Sequence, residues 1–529
     1  IVFVTYSQQE GGHLYSVKSN GTDLERLTDQ AAFYTEPVWS LDGERIVAIR
    51  APRRAYEEAL TQNVQRGSAD LIWLPSEGGS ANLISQVSGL RKPHFSQNIE
   101  RIYAFQSGTG LISMRWDGSD QREHVQVRGG NNGGSGPGSA ASLIVMSPQG
   151  LKALAQVENQ LYVVAVPPGV GVDAPTISVA DPEGASFPVS QLTDIGGQFP
   201  VWGSSGREAH WALGNAHFVY DLDAAEQFAD SLDAANGSGV DDEDEDSEVN
   251  RYRPEEWRIK VEFERDIPTG LVALTGARII TMNGNEILEH GDILVRDNRI
   301  EFIGPSGSIP IPDSAERLDV SGKTIVPGFV DTHAHLRGAF NVHRSQTWSY
   351  AANLAYGVTT ARDPQTGSSD VLTYEDMVRA GRMLGPRIYS TGQGVFSREG
   401  ISSLKEARDV LKRYSDYFDT KTIKMYGAGN REVRQWIIQA AHELRLMPTT
   451  EGSLDLRLNM TMAQDGYSGT EHNLPGVPLF KDVVELVAQS NMATTPTILV
   501  TYGGPWAENL FYTTTDVLGD AKLATFTPF

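Results

Sequence analysis

A strand-rich unit recurs along the first 220 residues: an apolar strand, a Gly/Asp turn, a polar strand ending in Leu-Thr, then an aromatic-Ser turn leading into another strand. Its clearest copy runs from His13-Leu14-Tyr15-Ser16-Val17 through Gly21-Thr22-Asp23 and Arg26-Leu27-Thr28 to Pro37-Val38-Trp39-Ser40-Leu41-Asp42-Gly43. Weaker echoes occur at Pro93-His94-Phe95-Ser96, at Val145 to Gly150, and at Gln191-Leu192-Thr193 followed by Pro200-Val201-Trp202-Gly203. With Ser40, Ser96, Ser147 and Gly203 as equivalents, the spacings are 56, 51 and 56 residues. One such unit cannot bury both faces of its strands alone, so copies must stack, and a strand repeat of about 50 residues is the signature of a β-propeller.

The anchor Pro37-Val38-Trp39-Ser40-Leu41-Asp42-Gly43 resembles that of the TolB-like propellers. Helical periodicity is scarce before Tyr220, as many short antiparallel strands require. Only four blades can be counted where propellers usually have more, and Ile1 to Tyr6 reads as strand interior. The chain is therefore expected to be a fragment lacking N-terminal blades.

Forty-four basic against 67 acidic residues leave a net charge of −23, which repels phosphate backbones, so no nucleic-acid partner is expected. No run of apolar residues is long enough for a membrane-spanning helix. The absence of cysteine removes disulfides, thiolate metal sites and cysteine nucleophiles together; any metal must be held by His, Asp, Glu or a modified Lys.

Between Asp221 and Asn250 twelve acidic residues occur without a Lys or Arg, seven of them within positions 241–248. Such a block repels itself and reads as a solvated linker or blade insertion, with a calcium-binding run as the alternative. Residues 251–323 read as propeller exit and small β-sandwich, with strands at Ala277 to Met282 and Gly291 to Arg296 and a hairpin turn at Asp297-Asn298. From 324 to 529 strands alternate with helix-like stretches such as Arg431 to Leu446, the pattern of a parallel α/β domain.

Thr324 to His335 is an apolar stretch with a polar tip. Read as one strand, it points Asp331, His333 and His335 the same way, because side chains two apart share a face. Two imidazoles on one face can chelate a cation, and the C-terminal end of a strand is where β/α barrels place their chemistry.

With Ser321-Gly322-Lys323-Thr324-Ile325-Val326-Pro327-Gly328-Phe329-Val330-Asp331-Thr332-His333-Ala334-His335, followed by Gly357-Val358-Thr359-Thr360-Ala361-Arg362-Asp363, the chain resembles the amidohydrolase superfamily from about Ala277 to Ala507. Taken with the preceding repeat, it is similar to amidohydrolases that carry an N-terminal TolB-like propeller. The resemblance implies a multidomain fold: a partial all-β propeller, a small β-sandwich and an incomplete (β/α)₈ TIM barrel. Barrel strands are expected near Ile325 to His335, Gly357 to Arg362, Arg387 to Thr391, Thr422 to Tyr426, Met447 to Glu451, Gly469 to His472 and Ala493 to Val500. The eighth strand, with the aspartate that handles the proton, is expected beyond Phe529.

The resemblance further implies His333, His335 and His472 as metal ligands. It implies Lys424 as a catalytic, carboxylated lysine bridging two ions; a lysine snorkelling its ammonium outward is the alternative. A carbamate needs a neutral amine to capture CO₂, which burial favours. The fifth strand departs from the common pattern, since Met447-Pro448-Thr449-Thr450-Glu451-Gly452 lacks a histidine. Glu451 is either an oxygen ligand or an orienting carboxylate, so one or two ions, Zn²⁺ or another divalent metal, both fit. His343, Arg362, Asp363, Gln393 and Tyr426 are expected to face the substrate.

The expected activity is hydrolysis, by a metal-activated water, of amide, cyclic amide or peptide-like C–N bonds other than ordinary peptide bonds, in a small molecule or short peptide-like substrate. Alternatives are lactone or phosphotriester hydrolysis at the same centre, and a non-catalytic protein whose propeller binds a protein partner. Exported relatives make a periplasmic or secreted location the expectation.

Overall fold

The structure is a computed structural model and describes residues 1–7, 9–54, 69–130, 138–167, 174–182, 184–236, 251–336, 343–476, 478–497 and 513–527. Five small sheets follow one another in the N-terminal part. The first comprises Val2–Ser7, Gly11–Ser16 and Glu25–Arg26, and the second Phe33–Trp39, Arg45–Ala51, Ala69–Pro75 and Asn82–Val87. The third holds Leu90–His94, Arg101–Gln106, Gly110–Arg115 and Arg122–Arg128, extended by the parallel strand Thr176–Ser178. Leu143–Met146, Lys152–Val157, Gln160–Ala165 and Val189–Gln191 make the fourth; Gln198–Trp202, Glu208–Leu213, Ala216–Asp221 and Glu255–Arg258 make the fifth.

The repeat anchors are the turns between the first two strands of a sheet. The backbone N–H of Ser40 donates to Arg45 O, that of Ser147 to Lys152 O and that of Gly203 to Glu208 O, each at 2.8 Å. Three residues after three of the four anchors, Gly43, Gly150 and Gly206 take φ values of 73°, 74° and 68°, where a side chain is strained; the Ser96 copy has Ile99 there and lacks this turn glycine. Neighbouring sheets share cores: Val47 and Leu71 of the second pack with Ile102 and Ile112 of the third, and Leu111 and Val125 of the third with Ile144 and Val164 of the fourth. Each such aliphatic side chain contributes about 1.5–3 kcal/mol on burial.

The stretch expected to be a solvated linker begins as the helix Leu222–Asn236. Asp221 caps it, its Oδ1 accepting from Asp223 N at 2.9 Å and Ala224 N at 3.0 Å. Its acidic residues are spread among alanines, and Leu222 and Ala225 pack against the core. The densest acidic run, 241–248, lies outside the described residues.

Leu271–Ile280, Ile287–Arg296 and Arg299–Pro305 form an antiparallel sheet joined by Glu316–Asp319, and Asp297 takes φ 55° in the expected hairpin turn. Thr324 to His335 is not the single strand that its sequence suggested. Thr324–Ile325 pairs with Arg278 and Ile279 of this sheet, the chain then passes Pro327, and Phe329–Asp331 starts a separate parallel series. Proline cannot donate to a ladder, which explains the break.

That series continues with Val358–Asp363 and Arg387–Ser390, and, in a second sheet, Val395–Phe396, Thr422–Tyr426, Met447–Thr450, Gly469–Glu471 and Ala493–Thr495. Every neighbour is parallel, and the helices Trp348–Ala355, Asp370–Arg379, Leu404–Lys412, Arg431–Glu443, Leu456–Asp465 and Lys481–Ser490 alternate with the strands. Arg413, in the π-helical turn Arg413–Tyr417, joins this unit to the N-terminal sheets. It donates to Ile195 O at 2.8 Å and pairs with Glu399 at 3.2 Å, while Asn159 Nδ2 donates to Glu399 Oε1 at 2.7 Å. No helix among the described residues is long and apolar enough to cross a membrane.

Candidate metal centre

The parallel strands bring His333, His335, His472 and Glu451, just past their C-terminal ends, and Lys424, within Thr422–Tyr426, to one region. The strand Phe329–Asp331 stops before the histidines: Asp331 Oδ1 accepts the His333 backbone N–H at 2.9 Å, turning the chain there. The His333 ring centroid lies 5.1 Å from that of His335 and 4.9 Å from that of His472. His333 Nδ1–H donates to Glu471 Oε2 at 2.9 Å, and His335 Nδ1–H to the Gln365 carbonyl at 2.9 Å. Both partners only accept, so each ring carries its lone pair on Nε2, the atom suited to a cation.

Lys424 projects from the middle of Thr422–Tyr426 and is 0% exposed. Its Nζ lies 2.6 Å from Glu451 Oε2, outside good hydrogen-bond direction, so both atoms are buried without a hydrogen-bond partner. The other oxygen of Glu451 accepts from His472 Nε2–H at 3.0 Å, and His472 Nδ1 takes the Thr497 hydroxyl at 2.5 Å. Burial pushes the Glu451 carboxyl up, but the His472 and Lys424 contacts outweigh it and leave it below the ordinary range. The Nε2 lone pairs of His333 and His335 and the Glu451 carboxylate are donors of the kind a divalent ion takes. Among the described residues no three His, Asp or Glu side chains stand close enough together to hold a metal ion as they are.

The residues expected to face the substrate have these surroundings. Arg362 is engaged by the protein: Nη1 donates to Glu471 Oε1 at 2.6 Å and Nη2 to Thr449 Oγ1 at 2.8 Å. Asp363 is 0% exposed, accepts from Gln365 N at 3.2 Å and Ser390 Oγ at 3.3 Å, and has Oδ1 4.0 Å from His335 Nδ1. His343 stacks on Tyr374 at 4.8 Å and contacts Met377 Sδ at 3.3 Å, against the helix Asp370–Arg379. Tyr426 stacks on Phe396 at 4.5 Å, with Lys424 Nζ 4.7 Å from its ring. Gln393 is half-buried in the link between Arg387–Ser390 and Val395–Phe396.

Sequence reasoning missed Glu471. Strand alternation would send it to the face opposite His472, but His472 takes φ 66°, which re-aims its ring toward the same cluster. Burial alone would raise the Glu471 carboxyl; His333, Arg362 and Lys424 together hold it at about 2.

No protein-family profile matches the chain. It is 27% identical over 170 residues to 5-methylthioadenosine/S-adenosylhomocysteine deaminase of Symbiobacterium thermophilum, covering 27% of this chain and 39% of that protein. It is 40% identical over 73 residues to dihydroorotase of Mycobacterium tuberculosis, covering 14% of this chain and 16% of that protein. The chain thus spans less than half the length of these curated relatives. A putative prolidase structure from Bifidobacterium longum aligns with a TM-score of 0.36 and 24% identity, over 44% of this chain and 62% of that one.

Proposed function

We propose, on the premise that this chain is a homologue of the amidohydrolase superfamily, that it is a metal-dependent hydrolase acting on C–N bonds. The observation that carries the reading is the gathering of the His333, His335 and His472 rings beside the buried ion pair of Lys424 and Glu451. The deaminase and dihydroorotase relatives support the reaction class.

When bound, a divalent ion supplies Lewis acidity toward a carbonyl oxygen and an acidified water. His333 and His335 would hold it through Nε2, and His472, Glu451 and Lys424 would form the adjoining set. Glu451, an ionised carboxylate against the Lys424 ammonium and His472 Nε2–H, is the proton acceptor that this adjoining set offers. Lys424 contacts Glu451 at 2.6 Å, so carboxylation of its amine by CO₂ would require that contact to open.

The same proposal takes the N-terminal sheets as part of a TolB-like propeller and the parallel series, with Arg387–Ser390 and Val395–Phe396 counted as one interrupted strand, as seven strands of a (β/α)₈ barrel. It also includes an exported protein with a small-molecule or short peptide-like substrate and a protein partner at the propeller. A panel of amides, cyclic amides, dipeptides, lactones and phosphotriesters, assayed with Zn²⁺, tests the reaction. In a longer form that supplies the eighth strand, turnover of C–N substrates that His333→Ala abolishes is expected; turnover confined to lactones or phosphotriesters would overturn the bond assignment.

A further inference from the structure

We propose that Glu471, itself locked by Arg362, is the positioning residue that aims His333 at the metal. The inference rests on the metal-centre reading above.

The Glu471 side chain is 1% exposed and each of its oxygens has a specific partner, His333 Nδ1–H at 2.9 Å on Oε2 and Arg362 Nη1–H at 2.6 Å on Oε1. Arg362 is braced in turn, donating to Thr449 Oγ1 at 2.8 Å and to Thr332 O at 3.4 Å. The chain Thr449–Arg362–Glu471–His333 therefore crosses four strand ends, those of Met447–Thr450, Val358–Asp363, Gly469–Glu471 and Phe329–Asp331.

A carboxylate can only accept, so it fixes the proton on Nδ1 and leaves Nε2 as the lone-pair atom; such outer partners orient ligating imidazoles and raise their basicity. The left-handed backbone of His472 serves the same arrangement. A non-glycine residue at φ 66° is strained, and here it sets an orienting carboxylate and a second ring side by side at consecutive positions. A pair that only stabilised the fold would leave Oε2 to any donor, whereas this one meets the first of the candidate ligands.

Zn²⁺ titration of the full chain against a competing chelator, with nitrogen NMR of histidine-labelled metal-free protein, tests the proposal in the parent, Glu471→Gln and Arg362→Gln. In the metal-free parent the resonance lost on His333→Gln should report the Nδ1–H tautomer. In Glu471→Gln that resonance should become a tautomer mixture and Zn²⁺ affinity should fall about 10- to 100-fold, with circular dichroism unchanged. Arg362→Gln should give a smaller fall of the same sign. Parent-like affinity and tautomer in Glu471→Gln overturn the proposal. Should that variant not fold, the same result in Arg362→Gln overturns it. A parent that binds no Zn²⁺ contradicts the metal-centre reading instead, and the metal-free tautomer then decides this proposal by itself.

Discussion

Glu451 stands between Lys424 and His472, with Oε2 2.6 Å from Nζ and Oε1 3.0 Å from Nε2. At the end of Met447–Thr450 this chain carries a carboxylate that neutralises a buried amine and fixes an imidazole at once.

Removing that carboxylate leaves Lys424 buried without a counter-charge. Glu451→Ala should lower stability by about 2–3 kcal/mol, discounted from a fully buried pair because Glu451 is 34% exposed. Adding Lys424→Met should recover much of the loss, as urea unfolding of the four members of a double-mutant cycle would show. Additive losses would mean that the two groups do not interact.

The N-terminal sheets carry an acid-sensitive tie. His94 Nδ1–H donates to Lys92 O at 2.7 Å and Nε2 accepts Met146 N–H at 2.8 Å, joining the third and fourth sheets through a neutral ring. Burial lowers its pKa from 6.5 to about 4, the bond to Lys92 O opposing the shift and the nearby Lys92 charge adding to it; the Tyr103 ring lies tilted at 6.0 Å. A base depressed in the fold must lose its proton to fold, so its stability is complete above about pH 6.5 and is lost as pH falls to about 4. The urea midpoint should drop across that window, on the order of 3 kcal/mol. The slope should flatten in His94→Gln, and an unchanged slope would assign the acid sensitivity elsewhere.

Arg413 and Glu399 are 2% and 3% exposed and pair at 3.2 Å where the parallel unit meets Ile195 and Asn159. Burial alone would depress the guanidinium, but Glu399 reverses that and raises it. Glu399→Gln should cost about 3–5 kcal/mol, because an unpaired buried charge remains. Limited proteolysis should then release the N-terminal sheets from the parallel unit, and parent-like resistance would show that other contacts hold them.

How far the fold was legible follows from locality. The repeat could be read because one left-handed turn, closed by Gly43, Gly150 and Gly206, recurs with its glycine. Thr422–Tyr426 could be read to the residue, and Lys424 with it, because an apolar run flanked by turn residues reports its own strand. His333 and His335 were found by their spacing, although the alternation argument behind them fails: both lie past the strand end at Asp331. Glu471 was hidden because a positive φ at His472 has no sequence signature. The helix Leu222–Asn236 was hidden because counting its charges with the denser run that follows obscured its alanines and the Asp221 cap. Arg413 meets Ile195 and Glu399 meets Asn159 across more than 200 residues, beyond any local pattern.

Metal analysis of the purified full chain after incubation with Zn²⁺ and desalting, with His333→Ala and His335→Ala beside it, tests the central claim most directly. The account predicts about one to two bound ions in the parent and a clear loss in each variant, all three keeping the parent's circular dichroism. A parent that retains no divalent ion, or variants that retain as much as the parent, would contradict it.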